Sequence, residues 1–261
     1  MLRIESINKT FEAGTINEKK ALDNISLTIN DGDFITVIGS NGAGKSTLLN
    51  AIAGAVSIDN GKITIDDYDV TNIPEYKRAS YIGRVFQDPL LGTASDMWIE
   101  ENLALASRRG KKRTLRSGIN DQERNKYLDI LKNFDLGLEN RMTTKVGLLS
   151  GGQRQALTLL MATLNKPNIL LLDEHTAALD PKTANKVLEL TDKIVKDNEL
   201  TTFMVTHNMK DALKYGNRLI MMDNGHIILD VSSKEKQSLD VNDLLKKFEQ
   251  IGTVNDSMLL G

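Results

Sequence analysis

Phe34-Ile35-Thr36-Val37-Ile38-Gly39-Ser40-Asn41-Gly42-Ala43-Gly44-Lys45-Ser46-Thr47 decides the fold of this chain. Its first five residues are apolar or β-branched, the mark of a buried strand. Gly39 to Thr47 then fits G-x-x-x-x-G-K-[ST] at every fixed position, a loop whose glycines leave backbone N–H groups free to cradle phosphates. A helical pattern runs from Lys45 to about Ala53 and is closed by Gly54. Strand, glycine loop and helix in this order are the context the motif requires. Ser40, Asn41, Gly42, Ala43, Gly44, Lys45, Ser46 and Thr47 are therefore the expected phosphate-binding residues. Lys45 is expected on the β- and γ-phosphates of ATP, and the Ser46 hydroxyl on Mg²⁺. A tight glycine turn that binds nothing is the competing reading, and the flanking strand and helix speak against it.

A second phosphate-binding surface is written at Leu149-Ser150-Gly151-Gly152-Gln153. A hydroxyl residue and two glycines there open an apolar, helix-forming run from Gln153 to Leu164, so bare backbone N–H groups face outward at a helix start. One chain thus holds two phosphate cradles and a single loop lysine. A composite ATP site shared between two copies would use both.

Downstream, Ile169-Leu170-Leu171-Leu172 is apolar without alternation, which reads as a strand buried on both faces of a parallel sheet. Asp173 and Glu174 follow at its carboxyl end, the edge where open α/β sheets bind ligands. Two adjacent carboxylates there are costly unless a cation or water network uses them. Asp173 is expected to hold Mg²⁺ through its water shell, and Glu174 to orient or deprotonate an attacking water. A solvated acidic loop cap is the bland alternative.

The rest of the chain fits an open α/β sheet. Leu2–Ile7 and Ile25–Ile29 alternate as strands, with an Asn30–Gly32 turn after the second. A further strand pair is expected at Lys62–Ile65 and Tyr81–Phe86. From Pro89 to about Asn165 the texture is helical, at Trp98–Ser107, Asp121–Phe134 and Gly152–Leu164, with Arg108–Gly118 as a basic link. Helix Lys182–Lys196, strand Thr201–Val205 and helix Met209–Tyr215 then alternate. Arg218–Met222 and His226–Asp230 flank Asn224-Gly225, a hairpin signal, and Val241–Ile251 is amphipathic.

At 261 residues the chain can bury a substantial core, and its 40% apolar and 26% charged residues are ordinary for a globular protein. Net charge is −2, which gives no global electrostatic case for nucleic acid. Cysteine is absent, so disulfides and thiol catalysis are excluded and a reducing cytosol suits the chain. MLRIESINKTF lacks the long apolar segment of a signal peptide, and no run of eighteen apolar residues occurs, so any membrane role is expected to be peripheral.

Taken in order, the nucleotide loop, Gln87, LSGGQ, the LLLLDE strand, Ala178-Leu179-Asp180 and His207 resemble the ATP-binding-cassette ATPases from about Arg3 to Val231. LSGGQ with Arg154 is the most specific part of the match. The resemblance implies an α/β fold: a P-loop NTPase (RecA-like) core with an antiparallel β subdomain and an inserted α-helical subdomain. Residues 1–87 and 166–232 would form the β subdomain and core, 88–165 the helical subdomain, and 233–261 a short tail. It also implies that Gln87 senses Mg²⁺ and water and that His207 contacts the γ-phosphate. Phe11 would stack on adenine, although a strand-edge core position is its other reading. Asp180 would communicate across a dimer, although an N-cap after which Pro181 opens a helix explains it too. Ser150, Gly151, Gly152 and Gln153 would close over ATP held by the other subunit of a head-to-tail homodimer. Two positions depart from the family: His175 stands where proline is usual, and Phe11 where tyrosine is commoner.

A single ATP-binding domain without membrane segments implies a separate integral membrane permease. The resemblance extends to ATPases of bacterial uptake systems fed by a substrate-binding lipoprotein, acting from the cytoplasmic face of the cell membrane. Gln87–Gly118 points within these to amino acids, aromatic ones included. An export or lipoprotein-release ATPase and a non-transport iron–sulfur assembly ATPase stay open as alternatives, and nucleic acid is not expected as a partner. The basic link, with Arg108, Arg109, Lys111, Lys112, Arg113 and Arg116 in nine residues, reads either as a solvated loop or as a contact for anionic lipid or an acidic permease loop.

Overall fold

The structure is a computed structural model, and it describes residues 1–111, 118–132, 134 and 136–251. Among the described residues ten strands, interspersed with helices, form two sheets. β1 (Leu2–Phe11), β2 (Lys19–Ile29), β4 (Asn60–Ile65) and β5 (Tyr68–Asp69) form an antiparallel sheet in the order β2-β1-β4-β5. The second sheet has the order β10-β9-β3-β8-β7-β6, made from β3 (Phe34–Gly39), β6 (Ile82–Val85), β7 (Ile169–Asp173), β8 (Thr202–Val205), β9 (Arg218–Asp223) and β10 (His226–Ser232). Its neighbours from β9 to β6 run parallel, and only β10 is antiparallel.

The helices are α1 (Lys45–Ala53), α2 (Glu75–Arg78), α3 (Ile99–Ser107), α4 (Asp121–Lys132), α5 (Gly151–Thr163), α6 (Pro181–Asp197), α7 (Met209–Lys214), α8 (Ser233–Lys236) and α9 (Val241–Ile251). The expected strand pair around Lys62–Ile65 and Tyr81–Phe86 needs correction. Both strands form, but β4 pairs with β1 and β5, whereas β6 pairs with β7 in the other sheet. An extended segment names its partner only through tertiary packing, and alternation along either strand carries no such information.

The uninterrupted apolar run of β7 is explained by packing on both faces. Ile169 and Leu171 join Ile35, Val37, Leu48, Ile52 and the antiparallel sheet in one core, while Leu170 and Leu172 join Leu188, Val195 and Met204 beneath α6. Each such side chain removed from water contributes roughly 1.5–3 kcal/mol, so no polar residue is tolerated at either parity. A third core belongs to the helical stretch, with Leu103, Tyr127, Leu131, Val146, Leu157 and Leu160. Among the described residues of the basic link, Arg108 bonds the Glu123 carboxylate at 3.1 Å and Arg109 donates to the Ala162 carbonyl at 2.9 Å. Both hold helices together, which favours a structural reading for this part of the link. Lys112, Arg113 and Arg116 lie outside the described residues.

α1 is the helix that presents Lys45, and its far end is held by a buried arginine. The Arg78 guanidinium donates to the Ala51 carbonyl at 2.7 Å, which also accepts from the Gly54 N–H, and to the Ile52 carbonyl at 2.8 Å, which the helix end leaves without an intrahelical donor. It also donates to the carbonyls of Ile73 and Thr71. Arg78→Met keeps most of the packing volume and strands the carbonyls of Ile52, Ile73 and Thr71, while Ala51 keeps its bond from Gly54. We expect a loss of about 2–3 kcal/mol in urea unfolding, since buried carbonyls without partners each cost about 1 kcal/mol or more. A loss under about 0.5 kcal/mol would show that water reaches this helix end.

Candidate functional site

The glycine loop of residues 39–47 leaves β3 through a gap that only glycine fits. A Cβ on Gly39 would lie 2.2 Å from the Met222 carbonyl oxygen of β9. Gly44, at φ 99°, would place a Cβ 2.4 Å from the Ala21 carbonyl oxygen. The loop is pinned from the β9–β10 turn as well, where the Gly225 N–H donates to the Ala43 carbonyl at 3.0 Å. Ser40 donates through Oγ to Asp223 Oδ1 at 2.9 Å, both side chains being buried. Lys45 is folded over the loop, its Nζ donating to the carbonyls of Gly39 at 2.8 Å and Ser40 at 2.9 Å. Burial pushes this ammonium below the usual lysine range, and the carboxylates of Glu174 and Asp173 work against that shift.

A cleft of about 270 Å³ opens above the loop, lined by Asn41 to Thr47 together with Phe11, Lys19, Ala21 and Glu174. Phe11 is 38% exposed at the end of β1 and borders the cleft rather than the core. Ser46 is exposed on the first turn of α1.

The carboxyl edge of the parallel sheet delivers the remaining groups. β7 ends at Asp173, whose carboxylate sits 3.9 Å from an Arg84 guanidinium nitrogen. Burial raises the Asp173 pKa, opposed by Arg84. Glu174 adopts φ 43°, a left-handed conformation that is strained for a residue with a side chain, and its N–H donates to the Val205 carbonyl at 3.0 Å. That bond ties the end of β7 to the end of β8. Two residues further along the β8 edge, His207 Nδ1 lies 3.7 Å from Glu174 Oε2.

This polar contact lowers the Glu174 pKa and raises that of His207, with burial opposing both shifts. The raised histidine contributes its stability fully below its ordinary 6.5 and loses it as pH rises through the folded value. The lowered glutamate contributes above its ordinary 4.5 and loses it as pH falls through the folded value. The pair therefore supports the fold most strongly between those two values.

Gln87 is exposed just beyond β6, beside the end of β7. The adjacent Phe86 carbonyl accepts from Gln155 Nε2 of α5 at 3.2 Å, which ties the Gln87 segment to the helix that begins at Ser150. Ser150 caps α5: its hydroxyl accepts from the Gln153 N–H at 3.3 Å, and Gln153 Oε1 accepts from the Ser150 N–H at 3.2 Å. Gly152 packs directly on α6, where a Cβ would meet Thr183 Cγ2 at 2.1 Å. Arg154 gathers the carbonyls of Val146, Gly147 and Leu149 and so fixes the approach to the cap. Asp180 caps α6 by accepting from the Thr183 N–H at 3.1 Å, with Pro181 in the first turn.

The residues therefore fall into two groups. Phe11, the loop, Lys45 and Glu174 share one cleft, whereas Ser150, Gly152 and Gln153 line another between α5 and α6. Asp223, Arg84 and Gln155 are supporting residues that sequence reasoning missed, because each acts through a partner distant in sequence. His175 turns out to be buried, and burial lowers its pKa to about 4, so the imidazole stays neutral. Its Nε2 faces Thr191 Oγ1 at 3.1 Å, and that hydroxyl donates to the Val187 carbonyl, so Nε2 carries the proton. It packs against α6 rather than adding a charge to the cleft.

Among the described residues no helix is long and apolar enough to cross a membrane. A tyrosine transport ATP-binding protein of Clostridioides difficile is 50% identical over 253 residues, spanning 95% of this chain and 99% of that one. The spermidine/putrescine import ATP-binding protein PotA of Pasteurella multocida is 33% identical over 255 residues; they span 98% of this chain but only 64% of PotA. A solved dimeric ATP-binding cassette in a post-hydrolysis state, bound to ADP and Pi, superposes with a TM-score of 0.76 at 31% identity over 89% of this chain and 99% of that one. Residues 22–177 match the family described as ABC transporter. The chain belongs to that family, as an ATP-binding and ATP-hydrolysing subunit of a transporter.

Proposed function

We propose that the chain powers uptake of an amino acid, tyrosine or a close aromatic relative, through a separate permease on whose cytoplasmic side it docks. The observation that carries this is the 50% identity, end to end in both chains, to a tyrosine transport ATP-binding protein. A substrate-binding lipoprotein would deliver the solute to the permease. Residues 1–87 and 166–232 would act as the nucleotide-binding body, and 88–165 as the inserted lever that meets the permease.

In this reading the loop N–H groups of residues 40–47 hold the polyphosphate, Lys45 turns from its own loop carbonyls onto the β- and γ-phosphates, and Phe11 stacks on the adenine. Mg²⁺ fits the donor set, since Ser46, Gln87 and Asp173 offer oxygen only, as a hard cation prefers. No cluster of three or more acidic or histidine ligands exists among the described residues. None is needed for an ion that takes one carboxylate plus phosphate oxygens. When bound, the ion would neutralise phosphate charge. Glu174 holds the attacking water and takes its proton, while His207 orients Glu174 and reaches the γ-phosphate. Ser150, Gly151, Gly152 and Gln153 of the partner cassette complete the phosphate shell, with Asp180 beside them at the seam.

ATP thus favours the closed pair, and hydrolysis releases it. Purified with its permease and binding protein in vesicles, the complex should hydrolyse ATP faster when tyrosine-loaded binding protein is added. Equal rates with every aromatic amino acid, and with none, would reject the solute. In the same preparation Lys45→Ala should lower ATPase activity by roughly 10²-fold or more, because a phosphate charge then lacks its cation.

A further inference from the structure

We propose that Lys19 is a second phosphate-binding cation of the nucleotide site, reaching the polyphosphate from outside the glycine loop; this rests on the reading of the Lys45 cleft as the ATP site. Lys19 opens β2 and stands directly opposite Phe11 in the β1–β2 register, so the residue facing the base and this lysine share one edge of the cleft. Its ammonium hangs over the loop: a Cβ built on Gly42 would lie 3.0 Å from Lys19 Nζ. Gly42 is at φ 84° in the segment whose backbone N–H groups turn toward phosphate.

The neighbouring cations on the same sheet are occupied. Lys9 bonds Asp59 at 3.0 Å, and Lys20 bonds Asp23 at 2.6 Å. Lys19, among the described residues, has no carboxylate within ion-pair distance. Glu174 lines the same cleft and repels a polyphosphate, and Lys45 is the loop's own cation. A triphosphate carries about four negative charges at neutral pH, so a further ammonium at the loop rim offsets a real electrostatic deficit. Lysine suits this place because its long stem lets a compact charge follow the phosphates as the nucleotide seats.

The test uses the full chain with Mg²⁺ and compares Lys19→Met, Lys19→Glu and Lys19→Arg by equilibrium binding of ATP and GTP at low and raised salt. Lys19→Met should weaken ATP binding roughly three- to tenfold at low ionic strength, as expected for one charge-assisted contact at a partly exposed site, and the gap should narrow with salt. Lys19→Glu should be weaker still, and Lys19→Arg should stay within about twofold of the parent, since it keeps the charge. ATP and GTP should lose the same factor, because they share the polyphosphate. In ATPase kinetics the change should sit in KM rather than kcat. Unchanged ATP affinity in Lys19→Met overturns the proposal. So does Lys19→Arg as weak as Lys19→Met, which would mean a shape requirement of β2, or a loss confined to ATP, which would mean contact with the base. If the parent chain itself fails to bind ATP, the reading of the cleft falls, and the role of Lys19 with it.

Discussion

Glu174→Gln should bind ATP as tightly as the parent, lose roughly 10²–10³-fold in turnover, and accumulate as an ATP-dependent dimer. The amide is nearly isosteric with the carboxylate, so the strained backbone at φ 43° and the N–H bond to Val205 are retained. What disappears is the group that can accept a proton from water. Loss of the carboxylate also lowers the His207 pKa toward its ordinary value, since the contact at 3.7 Å is what raises it. The closed pair would then form and fail to reset, so size-exclusion chromatography with ATP should show a dimer that the parent loses as it hydrolyses. ATPase activity within threefold of the parent would remove Glu174 from the role of general base.

Much of this arrangement is legible in the sequence, and the reason is locality. The strand, loop and helix from Phe34 to Ala53 depend on contiguous residues, as do the caps at Ser150 and Asp180, so pattern and chemistry point the same way. The apolar run of β7 signalled burial on both faces, and the two cores on either side of it bear this out.

Where the reading stopped, the information is nonlocal. β1 and β2 extend well beyond the alternating stretches Leu2–Ile7 and Ile25–Ile29, because register shifts after Ile4 and Ile7 break the period while the ladder continues. Arg84 and Gln155 look like ordinary polar residues on a strand and a helix. Only the fold sets Arg84 against Asp173 and the Phe86 ring, and Gln155 against the Phe86 backbone. Asp223 likewise gains its meaning from Ser40, 183 positions earlier. His175 is the opposite case: it directly follows Glu174 in sequence, yet its side chain turns inward to Thr191.

Ser150→Arg separates the two cradles most sharply, because within one chain they do not share a cleft. Ser150 is exposed, so an arginine there meets solvent in the single chain. The lost cap bond to the Gln153 N–H costs about 1 kcal/mol, well short of unfolding the helix. ATP binding by the single chain should therefore remain within about twofold of the parent, since Lys45, Phe11 and the loop are untouched. Closure is another matter. If a partner's phosphate must seat on the N–H groups of residues 150–153, a bulky side chain at the cap holds the surfaces apart. It removes a set of oriented donors worth roughly 10²–10³-fold in rate. Hydrolysis should fall by at least that factor, and the double variant with Glu174→Gln should no longer dimerise on ATP. Equal losses in single-chain ATP binding and in hydrolysis would mean instead that the segment serves the ATP of its own chain, and the head-to-tail pairing would have to be abandoned.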